Sequence, residues 1–318
     1  MNISNTTPSV RFPLAQVAGI AFLLMLFSID GLAQQRPVYS QYMFNGLALN
    51  PAYAGNQKQL SVSAVYRDQW VNLEGSPTTK TLSAHTGFRK KKVGVGLMVT
   101  SEEIGVHNDI SIYASYAYKL VLPKGNLAMG LQVGFNNLQS DFNKLNLRDL
   151  NDPFLAGNFK EFNPNFGAGL FYSTNTGYVG ISIPYIVNNK VVSVRTVDDL
   201  QSLAREARYY FITAGQVFDL NHRLKVKPST LLRIQEGAPF GVDLNANLII
   251  DDILNVGTSY RSGDSMIFLF ELKLIENFRF GYAYDYVISD LSRYTNGSHE
   301  IMLNYSINLS PTPCHTYF

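Results

Sequence analysis

From Asn277 the chain reads NFRFGYAYDY, which puts Phe278, Phe280, Tyr282, Tyr284 and Tyr286 on one side of a period-two pattern and Arg279, Gly281, Ala283 and Asp285 on the other. HEIMLNYSINL repeats the arrangement, with Ile301, Leu303, Tyr305, Ile307 and Leu309 opposite Glu300, Asn304, Ser306 and Asn308. In FGVDLNANLII, Phe240, Val242, Leu244, Ala246, Leu248 and Ile250 oppose Gly241, Asp243, Asn245 and Asn247. DISIYASYAYKL, LAMGLQVGFN and LSVSAVYRDQ follow the same rule. A soluble sandwich also alternates, but its solvent face is heavy in Lys, Glu and Thr. Here the second face is mostly Gly, Ala, Ser and Asn with scattered charges, which suits the crowded interior of a barrel.

Strands are expected near 59–70, 78–88, 93–101, 109–121, 126–139, 163–173, 177–185, 207–219, 223–235, 239–250, 254–262, 265–274, 277–288 and 299–309. That is about fourteen, an even number of segments, many long enough to cross a bilayer as tilted strands. The even-numbered connections (RKKK, LPKG, TNTG, NHR, DDI, IEN) are tight, and the odd-numbered ones include the longest: DFNKLNLRDLNDPFLAGNFKEFN and the stretch around VVSVRTVDDLQSLAREA. Short turns on one side and long loops on the other are the pattern of a transmembrane barrel with its short side in the periplasm. TVDDLQSLAREA is the one stretch expected to be helical, on an extracellular loop, with Thr196 as N-cap and Asp198 and Asp199 in the first turn. VGVGLMV and FGAGLFY are not phosphate loops, since no GK[ST] or helical pattern follows; glycines there relieve crowding inside strands.

Ahead of the strands, Arg11 precedes an uncharged run from Leu14 to Ile29, and Gly31-Leu32-Ala33 supplies small residues for cleavage. Residues 1–33 therefore read as a signal peptide cut after Ala33, the run being shorter than the roughly 20 residues a spanning helix needs. No cysteine lies near the cut, so a lipid-modified N-terminus is not expected.

Composition agrees with strands throughout: 19 Tyr and 20 Phe against one Trp, 24 Gly, and 16% charged residues. Cys314 is the single cysteine, so no internal disulfide staples the chain. A net charge of +2, with Arg89-Lys90-Lys91-Lys92 as the one basic run, gives no field for nucleic acid. The five histidines are scattered and no HExxH occurs, so neither metal nor cofactor is expected. Ser83, His85 and Asp68 can be assembled on paper, but Ser83 and His85 sit about 7 Å apart along one strand and lack an oxyanion donor, so no enzyme is expected. Arg67, Gln69, Ser83 and His85 are better read as a hydrogen-bonded network facing the lumen.

Three long motifs carry a family resemblance: QYMFNGLALNPAYAG (residues 41–55), YRDQWVNLEGSPTTKTLSAHTGF from Tyr66, and GYAYDYVISDLSRYTNGSHEIMLNYS from Gly281. Together they resemble the PorP/SprF family of type IX secretion system outer-membrane proteins of Bacteroidota, over essentially the whole mature chain. The resemblance implies a fourteen-strand barrel related in shape to the fatty-acid channel FadL. It also implies a noncatalytic role in secretion or surface attachment of cargo with C-terminal sorting domains, gliding adhesins for some members, and for others work beside a periplasmic lipoprotein that binds peptidoglycan. The alternative the shape leaves open is a channel for a hydrophobic or small solute.

The expected organisation is thus a signal peptide (1–33), an N-terminal plug or periplasmic rim (34–58), an outer-membrane barrel (59–309) embedded in lipid, and a periplasmic tail (310–318). The second segment follows no strand or helix period, and its backbone would be costly to leave in lipid without partners. Tyr42, Met43, Phe44, Asn45, Asn50, Pro51, Tyr53 and Gly55 are its candidate residues. In the tail, Pro311 and Pro313 cannot extend a ladder, and Tyr317 and Phe318 are expected to meet a periplasmic partner.

Overall fold

The computed structural model describes residues 38–57, 59–88, 92–144, 158–195, 200–205 and 207–307. Strands β1 (Leu60–Asp68), β2 (Thr78–Phe88), β3 (Val93–Ile104), β4 (His107–Leu122), β5 (Gly125–Asp141), β6 (Asn158–Ser173) and β7 (Gly177–Ile183) pair each with the next, all antiparallel. Next come β8 (Lys190–Arg195), β9 (Leu200–Arg205), β10 (Tyr209–Gln216) and the two-residue β11 (Phe218–Asp219). The wall is completed by β12 (Leu224–Gln235), β13 (Gly241–Ile250), β14 (Leu254–Arg261), β15 (Ser265–Ile275), β16 (Phe278–Val287) and β17 (Ser298–Ile307).

β10 bridges β7 and β12, and β1 pairs with β17 from Leu60–Ile307 to Asp68–His299, so the sheet closes on itself. With β11 a continuation of β10 beyond Val217 and β8–β9 a separate hairpin, the wall has fourteen staves. Closure pairs the first and last staves with each other, as a bilayer demands because it offers backbone groups no partner.

The two faces follow the alternation. Leu244, Leu303, Tyr305, Phe268 and Tyr286 are exposed on the outside, whereas Asp243, Asn245, Asn247, Asp285 and Glu300 are buried on the inside. Aromatic and aliphatic pairs meet across neighbouring strands on the outer face, as Phe268 does Tyr284 and Tyr282 does Ile301.

The helix expected over TVDDLQSLAREA is not found. Leu200–Arg205 is β9, paired antiparallel with β8, and residues 196–199 between them lie outside the described residues. The valine-rich run Val191-Val192-Ser193-Val194 supplies a strand partner, and pairing overrides the weak helical preference of a short polar segment. The signal peptide and the tail with Tyr317 and Phe318 also lie outside the described residues.

Candidate functional site

Residues 38–57 run inside the barrel. The segment is built from turns and two short 3-10 helices, Gly46–Ala48 and Pro51–Tyr53, so its backbone must find partners locally or on the wall. Asn50 caps the second helix by accepting from Ala52 N (2.9 Å). Its amide also donates to Leu170 O of β6 (2.9 Å) and Ile181 O of β7 (3.4 Å). Ser182 Oγ donates to Leu49 O (2.6 Å). At the lower end Lys119 Nζ of β4 donates to Gly55 O (3.3 Å) and Asn56 O (3.4 Å).

The tightest attachment is on the opposite wall. Glu300 of β17 accepts two successive backbone N–H groups, Ser40 N at Oε2 (2.8 Å) and Gln41 N at Oε1 (2.9 Å), while Gln41 Nε2 donates to Glu300 O (3.1 Å). Ser40 Oγ donates to Asp285 of β16 (2.6 and 2.8 Å) and accepts from Arg67 Nη1 of β1 (2.6 Å). Arg67 is paired with both carboxylates, Asp285 at 2.7 Å and Glu300 at 3.2 Å. A second ionic group continues the ladder: Asp243 of β13 takes Arg261 Nε (3.1 Å) and Arg233 Nη2 (3.0 Å), and Arg261 Nη2 donates to Tyr39 O (3.3 Å). Asp243, Asp285 and Glu300 thus face Arg67, Arg233 and Arg261 in water-poor surroundings, where charges survive only when paired and hydrogen-bonded. Asn245 Nδ2 reaches Tyr42 OH (2.5 Å) beside this group. Burial pushes the phenols of Tyr39, Tyr42 and Tyr53 well above the ordinary tyrosine range.

Packing fills what polar bonds leave. Tyr42, Met43, Ala48 and Leu49 join Val65, Met98, Phe211, Leu231 and Ile267 of the wall in one apolar cluster, with Phe44 against it. Tyr53 sits edge-on to His85 and to Phe171, 5.5 Å from each ring. Inward glycines provide the space: a Cβ on Gly94 would collide with Ala54 O, and one on Gly130 with the backbone at Ala52.

Of the residues singled out in sequence, Tyr42, Met43, Asn45, Asn50, Pro51, Tyr53 and Gly55 are buried in this segment. Arg67 joins the ionic ladder, Ser83 Oγ donates to Asn45 Oδ1 (3.4 Å), and His85 meets Tyr53. Arg67 therefore does not share a network with Ser83 and His85. Gln69 lies beyond β1, its N–H donating to Pro77 O (3.0 Å) in the β1–β2 loop. Asp68 is paired with Thr78 and His85 with Ser61, at opposite ends of the hairpin, so the Ser/His/Asp set is dispersed. Ser40, Gln41, Asp243, Arg261, Asp285 and Glu300 complete the site beyond the residues the sequence singles out; the four ionic ones carry a signal, charge at inward positions of otherwise small-residue faces, whereas Ser40 and Gln41 carry none. Among the described residues no cluster of three His, Cys, Asp or Glu could hold a metal.

Solved structures similar to this chain are outer-membrane barrels at low identity. They include the CymD monoaromatic hydrocarbon channel (12% identity, TM-score 0.48, 90% of this chain and 96% of that one). Omp33 of Acinetobacter baumannii (10%, 0.44, 80% and 99%) and the KdgM porin (12%, 0.39, 78% and 99%) are further examples. These likenesses are too distant to bear on what the chain does. A search of curated proteins found no match. The model of one family, described as type IX secretion system membrane protein PorP/SprF, matches residues 31–305.

Proposed function

The chain belongs to the type IX secretion system membrane protein PorP/SprF family, and from that premise we propose that this outer-membrane barrel is a noncatalytic component that assists secretion or surface attachment of cargo proteins bearing C-terminal sorting domains, gliding adhesins among them. Residues 34–58 act as a plug, and the periplasmic face, with Tyr317 and Phe318 of the tail, meets a peptidoglycan-binding lipoprotein. The observation that supports this reading is the double hydrogen bond from Ser40 and Gln41 to buried Glu300, which ties the inner segment across the lumen. A barrel obstructed in this way serves better as a rim to which proteins attach than as a path for solutes.

Purified protein in liposomes, together with copurification from native membranes, tests the proposal. Expected are negligible solute flux and recovery with secretion components or surface cargo. Deleting residues 312–318 should leave insertion intact and reduce recovery of the lipoprotein. Rapid flux of small solutes through the unaltered barrel, with the protein recovered alone, would overturn the reading in favour of a diffusion channel.

A further inference from the structure

The ladder between β7 and β10 stops short in the outer half of the wall. It runs from Gln216–Gly177 to Phe211–Ser182, and among the described residues no backbone hydrogen bond joins residues 184–189 to β10. Pro184 has no N–H to give. The chain steps inward here: Pro184 O accepts from Gln132 Nε2 of β5 (3.2 Å), and a Cβ on the intervening Gly167 would collide with that oxygen. Tyr185 follows, edge-on to Tyr113 of β4 with ring centres 5.1 Å apart.

The chain returns to the wall at Ile186, whose N–H donates to Phe166 O of β6 (2.8 Å). Side chains then replace strand-to-strand bonds. Asn165 accepts from Val187 N (3.0 Å) and donates to Val187 O (2.9 Å), and on the β10 side Arg208 Nε donates to Ile186 O (2.8 Å). Asn188 Nδ2 adds a bond to Glu236 Oε2 (3.1 Å), a carboxylate itself paired with Arg208 (3.3 Å). A seam closed by these few side-chain bonds opens at lower cost than a continuous ladder.

Immediately inside lies a cavity of ≈ 40 Å³, lined on its larger, apolar side by Tyr39, Leu49, Met98, Tyr185, Tyr209 and Phe211, and on a smaller polar side by Thr100 and Glu102 of β3 and Asp109 and Ser111 of β4. Outside, Ile186, Val187, Ile181 and Phe166 are exposed and apolar, continuous with the lipid-facing band. We propose that this seam is a lateral portal through which the end of a bilayer lipid's acyl chain enters the aromatic cavity. Hydrocarbon is what stands against the outer face of the seam, and the rings of Tyr185, Tyr209 and Phe211 are what stand behind it, with the polar groups of β3 and β4 on the cavity's other side. The cavity holds about three times the volume one water requires, which suits the last methylenes of a chain rather than a whole lipid. The inner segment, through Tyr39 and Leu49, forms part of the cavity wall, so the site is a seat and not a passage.

The test uses the full mature protein in nanodiscs made with a phospholipid carrying a diazirine at the end of one acyl chain. After irradiation, adducts are mapped by mass spectrometry. Adducts at Tyr39, Met98 and Phe211 inside the wall are expected in the unsubstituted protein, beside those at lipid-facing Val179. In a Cys314→Ser background, Ile183→Cys with Tyr210→Cys places thiols on the next pair above Phe211–Ser182, and oxidation staples the seam. Interior adducts should then be lost, Val179 adducts kept, and reduction should restore the first pattern in the same molecules. Absence of interior adducts in the unsubstituted protein, or interior adducts indifferent to the staple, would overturn the portal. The first arm needs no substitution, so failure of the paired variant to fold leaves it decisive.

Discussion

Glu300→Ala removes the one carboxylate that accepts from Ser40 N, Gln41 N and Arg67 together. Glu300 and Ser40 have no exposed surface, so no water takes over the lost bonds. Breaking a buried ion pair from one side costs ~3–5 kcal/mol. Asp285 still holds Arg67 Nη2 at 2.7 Å, which places the expected loss at the lower end, about 3 kcal/mol. At ~1.4 kcal/mol per factor of ten, the inner segment should leave its seat roughly a hundredfold more often. The assay is the rate at which a bulky maleimide modifies Ala48→Cys in a Cys314→Ser background, in detergent, with heat-modifiable migration monitoring the closed barrel. Glu300→Gln, which keeps one acceptor oxygen, should fall between parent and alanine. A rate for Glu300→Ala within about threefold of the parent, with the barrel intact, would mean less than ~0.7 kcal/mol and would refute the clamp.

Leu303→Arg on the lipid face should destabilise the inserted barrel by ~2–4 kcal/mol near the midplane in urea titrations, whereas Ser306→Arg on the inner face should cost far less; equal costs would contradict the strand orientation. Gly130→Val sets a side chain against the backbone at Ala52, so it should speed modification of the same Ala48→Cys thiol while leaving the barrel's migration unchanged. Protection at the parental rate would show that the segment does not rest on β5. For pH, burial holds the phenols of Tyr39, Tyr42 and Tyr53 above the ordinary value of 10.0. Their contribution is whole below that value and is lost as pH rises from it towards the folded one. Protease nicking of the segment should therefore be flat with pH until about 10 and accelerate above it; acceleration near neutrality would assign the attachment to other groups.

The staves were legible because one face of each strand meets lipid and the other a crowded lumen, so FRFGYAYDY and HEIMLNYSINL print their orientation in every second residue. The inner segment was legible by default, as an apolar stretch without a period. Its partners were not, because Arg67, Asp285 and Glu300 lie on different strands and only closure of the wall brings them to Ser40. The glycines of VGVGLMV and FGAGLFY were read as relief of crowding in general, while Gly94 and Gly169 make room for particular atoms, Ala54 O and the Asn50 side chain. The β8–β9 hairpin was misread because a dozen mostly polar residues satisfy a helical pattern and a strand pattern about equally, and the pairing partner decided.

Ser40 and Glu300 are 260 positions apart in the chain, so the segment ahead of β1 is fastened by β17, the last of the described strands to be made. A chain cut short before β17 has a segment with no anchor and a wall with no closing pair. Contacts of such long range form late and slowly, which obliges the segment to wait, apolar and unpaired, until β17 is in place. Seating it therefore reports that the closing strand of the wall has arrived, and an assembly machinery that releases only barrels with a seated segment would be inspecting the closure of the wall at a single carboxylate.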